Sequence, residues 1–155
     1  MTQPSDAPSL PAGDAPALLY LIKQVELAAK MRLDEILEPH GITAVQYTAL
    51  TVLARNPGLT SARLARNSFV RIQSMAQTMS ALEERGLISR EPDPESRRQL
   101  KTLITPAGWS LIDALRKPVG SLERELLDGL ADEEIAIFAG ALRRARLALG
   151  GSHAY

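Results

Sequence analysis

From residue 15 onward, apolar residues recur at helical spacing. Leu18, Ile22, Val25, Ala29, Leu33 and Ile36 follow one another at intervals of three and four, which predicts a long amphipathic helix over 15–39. Pro39-His40-Gly41 should end it, because the residue before a proline avoids the helical region and glycine suits a left-handed exit. Thr43-Ala-Val-Gln46 then matches a capping box. Val45, Ala49, Leu50, Val52 and Leu53 form the apolar stripe of this second helix, and Asn56-Pro57-Gly58 closes it. Thr60 caps a short third helix, Ser61 to about Arg66, with Leu64 and Ala65 inward. A fourth carries Ile72, Met75, Ala76, Met79 and Leu82 on its inner side and stops at Arg85-Gly86. Two helices joined by a short turn, the second closed by glycine, make a helix-turn-helix candidate.

The period then changes. Leu87–Arg90 reads as a short strand, and Gln99–Ile104 as another with Leu100, Thr102 and Ile104 on one face. The segment Pro92–Arg98 between them cannot be a sheet centre, since both prolines lack the ladder donor, so it reads as the tip of a hairpin. Thr105-Pro106 restarts helix, with Thr as cap and Pro at the first position. Trp109, Ile112, Leu115, Leu122 and Leu126 continue it, bent or broken at Pro118. A last helix begins near Asp132 and carries Ile135, Phe138, Leu142 and Ala145 or Leu149. The expected fold is mainly α: a winged helix-turn-helix with long flanking helices.

The charge balance looks unpromising for nucleic acid, with 18 Lys+Arg against 18 Asp+Glu. Its distribution alters that view. Between Glu38 and Glu83 there is no acid at all, while Arg55, Arg63, Arg66 and Arg71 all fall there. Such a window can arise by chance or as a buried core segment. Its many Ser, Thr, Asn and Gln residues suit instead a surface facing phosphates.

Several classes are excluded or disfavoured. Without cysteine there is no disulfide framework, thiolate metal site or thiol switch, which is compatible with a reducing cytoplasm. The longest apolar runs, Ala17–Ile22 and Ile135–Leu142, fall well short of the ~20 residues that span a bilayer. The first 17 residues hold four prolines and no Lys or Arg, unlike a signal peptide, and a disordered tail is expected over 1–14, with another over 150–155. The only histidines are His40 and His153, and no nucleotide-binding glycine motif occurs, so neither an enzyme nor a cofactor is expected. A metal-responsive winged-helix regulator would want more His, Cys and paired carboxylates. A winged-helix protein–protein interaction module would not need the acid-free window.

Several segments together resemble the multiple-antibiotic-resistance regulator (MarR) family of bacterial transcription factors. They are Gly41-Ile-Thr43 with Gln46-Tyr47, Leu59-Thr60 with Leu64-Ala65, Leu82 to Ile88 (Leu-Glu-Glu-Arg-Gly-Leu-Ile), and Asp93 to Arg98 running on to Ile104-Thr105-Pro-Ala-Gly108. The match spans about 18–149. The family's wing signature resembles Asp-x-Arg-x5-Leu-Thr, read here as Ser96-Arg97-Arg98, five residues, then Ile104-Thr105. Ser96 stands where that pattern has an acid that helps hold the wing, leaving Asp93 or Glu95 to substitute. The resemblance implies one domain over 15–149, with a winged helix-turn-helix at 41–105 and dimerisation helices at 15–39 and 106–149. It also implies an obligate homodimer on a palindromic double-stranded operator, released by a small ligand.

On a helical projection the fourth helix places Gln73, Ser74, Gln77 and Ala81 opposite its apolar side, with Arg71 and Thr78 flanking. That is the helix expected in the major groove, where Gln suits adenine N6/N7 and Arg suits guanine or phosphate. The plain alternative is a solvated face. Ser61 and Arg63, at the start of the third helix, could meet phosphates, with Arg66 behind them. Arg97 and Arg98 read either as a loop paired with Asp93 or Glu95, or as a wing meeting DNA. The family match favours minor-groove insertion for Arg98 and an internal role for Arg97. His40, Tyr47 and Trp109 lie near the helix junctions where the family keeps its effector pocket, and Tyr20, Arg32 and Gln46 could contribute. Without the resemblance, His40 reads as a cap and Trp109 as core. An aromatic or phenolic anion is the family's common effector, and Arg32 with His40 could neutralise its carboxylate.

Overall fold

The computed structural model describes residues 17–68 and 70–150, with the backbone alone at positions 97 and 98. The tail expected at 1–14 and all but Gly150 of that at 150–155 lie outside the described residues. The elements follow in the order α1 (Leu18–Leu37), a 3-10 turn (Glu38–His40), α2 (Ala44–Arg55), α3 (Ser61–Asn67), α4 (Ile72–Glu84), β1 (Ile88–Asp93), β2 (Ser96–Ile104), α5 (Pro106–Leu126) and α6 (Asp132–Ala148).

Local chemistry sets most of these boundaries. Gly41 leaves the 3-10 turn at φ 64, and Gly86 follows α4 at φ 66. The capping box at Thr43 forms as the spacing predicts: Gln46 N donates to Thr43 Oγ1 at 3.2 Å, and Thr43 N donates to Gln46 Oε1 at 2.9 Å. Thr60 caps α3 by accepting from Arg63 N, and the Glu134 carboxylate reaches back to accept from Ala131 N at the start of α6. Thr105 has three roles. Its hydroxyl accepts from Gly108 N at 3.1 Å and donates to Gly86 O at 2.6 Å, while its own N–H donates to Leu87 O. One residue therefore caps α5 and fastens it to the exit from α4.

Two expectations are corrected. The strands reach further toward the tip than Leu87–Arg90 and Gln99–Ile104, so Pro92 sits within β1 opposite Leu100, and positions 97 and 98 lie within β2. A two-stranded ribbon has a free edge on each strand, so a proline whose missing donor faces outward costs no ladder bond. After Pro92↔Leu100 the register jumps to Asp93↔Ser96, leaving extra residues on β2 as a bulge. Second, of the bend or break expected at Pro118 the break does not occur: α5 is continuous through it. Beyond the ribbon, Gly58 N donates to Thr102 O at 3.1 Å and Thr102 N to Leu59 O at 3.2 Å, contacts that no local pattern signals. The loop between α2 and α3 is thus laid along β2.

The core lies between these elements. Leu37, Leu50, Leu53, Leu64, Met75, Met79, Leu82, Ile88 and Leu115 are fully enclosed. Gly108 allows the closest approach, since a Cβ there would lie 2.2 Å from Leu87 O and 2.7 Å from Ile104 Cγ2. The outer helices are different. Leu18, Leu19, Tyr20, Leu21 and Ile22 are all exposed at the start of α1, and α6 buries no residue.

Candidate nucleic-acid interface

Met75, Met79 and Leu82 recur at intervals of four and three, and they anchor α4 to the core. That strip fixes what the rest of the helix presents. Arg71, Gln73, Ser74 and Gln77 are exposed, and Thr78 is half-buried with its hydroxyl donating to Ser74 O at 3.0 Å. Ser61 is half-buried in the first turn of α3, next to the Thr60 cap, while Arg63 and Arg66 are exposed. Among the described residues, Arg63, Arg66 and Arg71 pair with no carboxylate. The structure thus brings Arg71, Gln73, Ser74 and Gln77 together on α4, with the cationic α3 beside it in the same helix-turn-helix. Ile72 and Ala76, expected inward, are exposed instead, because the anchoring strip begins at Met75 and the first turn projects past it.

The wing is braced by acids. Arg90 Nε donates to Glu83 Oε2 at 2.8 Å, with Nη2 closing on the same oxygen, so β1 is tied to the last turn of α4. This contact holds the Glu83 carboxyl below its ordinary range, against a smaller opposing effect of burial. At the tip, Asp93 Oδ1 accepts from Glu95 N at 2.9 Å and meets Lys101 Nζ at 3.2 Å. The Glu95 amide first, and then Lys101, lower the Asp93 pKa against burial. Asp93 therefore supplies a carboxylate to the wing in which Ser96 replaces the family's acid. The candidate side chains at 97 and 98 lie outside the described residues. The Glu83–Arg90 brace escaped the sequence reading because nothing local pairs residues seven apart across a turn. Asp93 was nearer to legible, as an Asx turn two residues before an amide.

The ligand candidates do not all converge. A cleft of about 730 Å³ between α1, α2 and α5 is lined by Val25, Ala29, Leu33, Val119, Leu122 and Leu126, with Arg32, Tyr47, Glu123 and Glu125 among its polar groups. Of the six, only Arg32 and Tyr47 line it. Arg32 is already engaged, donating through Nη1 and Nη2 to the two Glu125 oxygens at 2.9 and 3.1 Å. Burial raises the Tyr47 pKa, Glu123 adds to the rise and Arg55 opposes it, so the phenol is a neutral donor near pH 7. Gln46 is held in the capping box, Tyr20 lies exposed near the start of α1, and Trp109 is 43% exposed rather than core. His40 ends the 3-10 turn, where its carbonyl accepts from Arg85 Nη2 at 2.8 Å. Arg85 also donates to Gly41 O, clasping the turn between α1 and α2 from the end of α4.

A winged helix-turn-helix whose second helix exposes amides and hydroxyls, with no acid before Glu83, has the architecture of a DNA-binding protein. The comparisons with known proteins agree. Residues 40–99 match the MarR family model. An HTH-type transcriptional repressor of Mycobacterium tuberculosis is 32% identical over 116 residues, covering 75% of this chain and 83% of that protein. The transcriptional regulator HosA of Escherichia coli is 29% identical over 104 residues, covering 66% and 76%. Among solved structures, apo MarR from E. coli superposes with a TM-score of 0.73 at 25% identity, covering 86% of this chain and 98% of that one. A MarR mutant from E. coli complexed with operator DNA gives 0.74 at 26%, covering 83% and 92%. SlyA gives 0.79 at 23%, a likeness of fold, covering 86% and 94%. The chain belongs to the MarR family: it is a DNA-binding transcriptional regulator and not an enzyme. No described helix is long and apolar enough to cross a membrane.

Proposed function

We propose that the protein is a cytoplasmic repressor that binds a palindromic operator as a homodimer and is released by a small aromatic or phenolic ligand. The observation that carries the reading is the exposed Gln73–Ser74–Gln77 surface of α4, set in a stretch from 39 to 82 without an acid. Gln amides can bond adenine N6 and N7 in the major groove, while Arg63, Arg71 and the α3 N-terminus neutralise phosphates. The names of the relatives, a repressor among them, and the operator complex of E. coli MarR favour the same reading. Arg98 completes the surface as a minor-groove contact, with Arg97 holding the wing internally.

Dimerisation follows from unfinished burial. A helix that is apolar all round, like the first turns of α1, belongs in an interior, and α6 exposes Ile137, Phe138 and Leu142. A second copy of each would cover both. The cleft supplies the effector site: its apolar walls fit an aromatic ring, and Arg32 exchanges Glu125 for the ligand's carboxylate. A shift of α1 against α2 reaches α4 through the Arg85 clasp on His40 and Gly41. Linkage requires reciprocity, so operator DNA weakens the ligand by the same factor as the ligand weakens DNA.

The test is a salt series of gel shifts on the gene's own upstream region. Gln77→Ala should lose about 1–3 kcal/mol and relax base preference. Arg63→Ala should weaken all sequences alike and reduce the salt slope by about one unit. An unchanged ratio of operator to scrambled binding in Gln77→Ala would falsify the assignment of α4.

A further inference from the structure

Polar side chains do not fill the first turns of α4 alone. Ile72 is 59% exposed, and Ala76, one turn further on, is exposed as well. Residues four apart lie above one another on a helix, so the two form a short apolar strip. Gln73 and Gln77, also four apart, form an amide strip immediately beside it, about 100° round the helix from the first. Neither strip includes a carboxylate. Isolated exposed isoleucines are common on protein surfaces and need no explanation. This one sits at the start of the helix that enters the groove, flush with the groups that read bases.

An A·T pair presents side by side the two chemistries that these strips complement. Its major-groove edge carries adenine N7 and N6, which suit a glutamine amide, and the thymine 5-methyl, the one apolar group on any base edge there. We propose that Ile72, with Ala76, packs against thymine 5-methyl groups next to the adenines bonded by Gln73 and Gln77, so that α4 selects A·T steps by apolar contact as well as by hydrogen bonds. The inference rests on α4 being the recognition helix, and it adds a specificity-determining side chain that the helical period had assigned to the core.

The probe is a duplex enriched from random DNA on the wild-type protein, made in two forms. One has thymine, and in the other deoxyuridine replaces thymine within the half-sites, removing the methyl and keeping the pairing. Affinity by fluorescence anisotropy at ~0.15 M salt should fall about fourfold for each contacted methyl removed, the worth of one buried carbon. Ile72→Ala should lose most of the difference between the two forms, keeping only what Ala76 contributes, and Ile72→Val should keep most of it. Equal binding of both forms by wild type overturns the proposal, and so does an enriched site without thymine. A difference undiminished in Ile72→Ala overturns it too, since it would then come from DNA shape. Failure to enrich any duplex would remove the recognition-helix reading itself, whereas indifference to the methyl leaves that reading standing.

Discussion

Among the described residues every fully enclosed apolar side chain falls between Leu37 and Leu115, whereas α6, 17 residues long, encloses none. The winged part closes its own core: α2, α3 and α4 bury one strip each, and β2 is held from one side by β1 and from the other by the loop at Gly58 and Leu59. The outer helices have comparable apolar content, but beyond Leu37, Leu115 and the residues packed beside them they set little of it against the rest of the chain. A single copy therefore contains one finished unit, which carries the proposed DNA surface, and two unfinished arms. The cleft lies where they join, with Tyr47 from the finished part and Arg32 and Glu125 from the arms. The ligand proposed to bind there would act on the joint rather than on either side.

The largest effects should come from the finished unit. Leu50→Ala removes a fully enclosed side chain and should cost about 3 kcal/mol in denaturant titration, at any protein concentration. Gly108→Ala, a single added carbon against Leu87 O, should cost about 2 kcal/mol or more; a neutral result would mean that α5 is free to move off the wing. Leu142→Asp should behave otherwise. Its side chain is already 47% exposed, so the winged part should stay folded while self-association weakens at least about tenfold by sedimentation, some 1.4 kcal/mol. Unchanged sedimentation would break the division into finished and unfinished parts.

The smallest effect concerns acid. The folded-state pKa values of Glu83 and Asp93 lie below their ordinary 4.5 and 3.8, so both carboxylates contribute stability that is full above those values. It is lost as pH falls through the lower folded values. Protection factors for the amides of β1 and β2, taken against the intrinsic exchange rate at each pH, should therefore fall below about pH 4.5, and the Glu83→Gln, Asp93→Asn double variant should show lower protection at neutral pH and little further change on acidification.

Much of this was legible because it is local. The capping box at Thr43 and Gln46, the Thr60 and Thr105 caps and the glycine exits at Gly41 and Gly86 depend on groups within a few residues, and all form as their spacing implies. The wing strands outrun their sequence pattern because proline is no barrier in a two-stranded ribbon, whose free edge accommodates Pro92. Of the ligand candidates, Arg32 and Tyr47 meet in the cleft while Gln46 is held by its own cap, a competition between a local and a distant use of one amide.

By itself the sequence determined the order of helices and strands, the capped ends of the helices, and the acid-free segment that overturns the neutral charge balance. Those features follow from periodicity and from short-range hydrogen bonding. The tertiary structure alone decided which apolar positions are enclosed, because a helix with residues at i, i+3 and i+4 on one side does not specify where its neighbours stop. Ile72 and Met75 share a stripe in the sequence, yet one is exposed at the start of α4 and the other fully buried. The same holds for the two ends of α1, where Leu18 is exposed and Leu37 is enclosed, since only the packing of α2 and α5 against its second half distinguishes them.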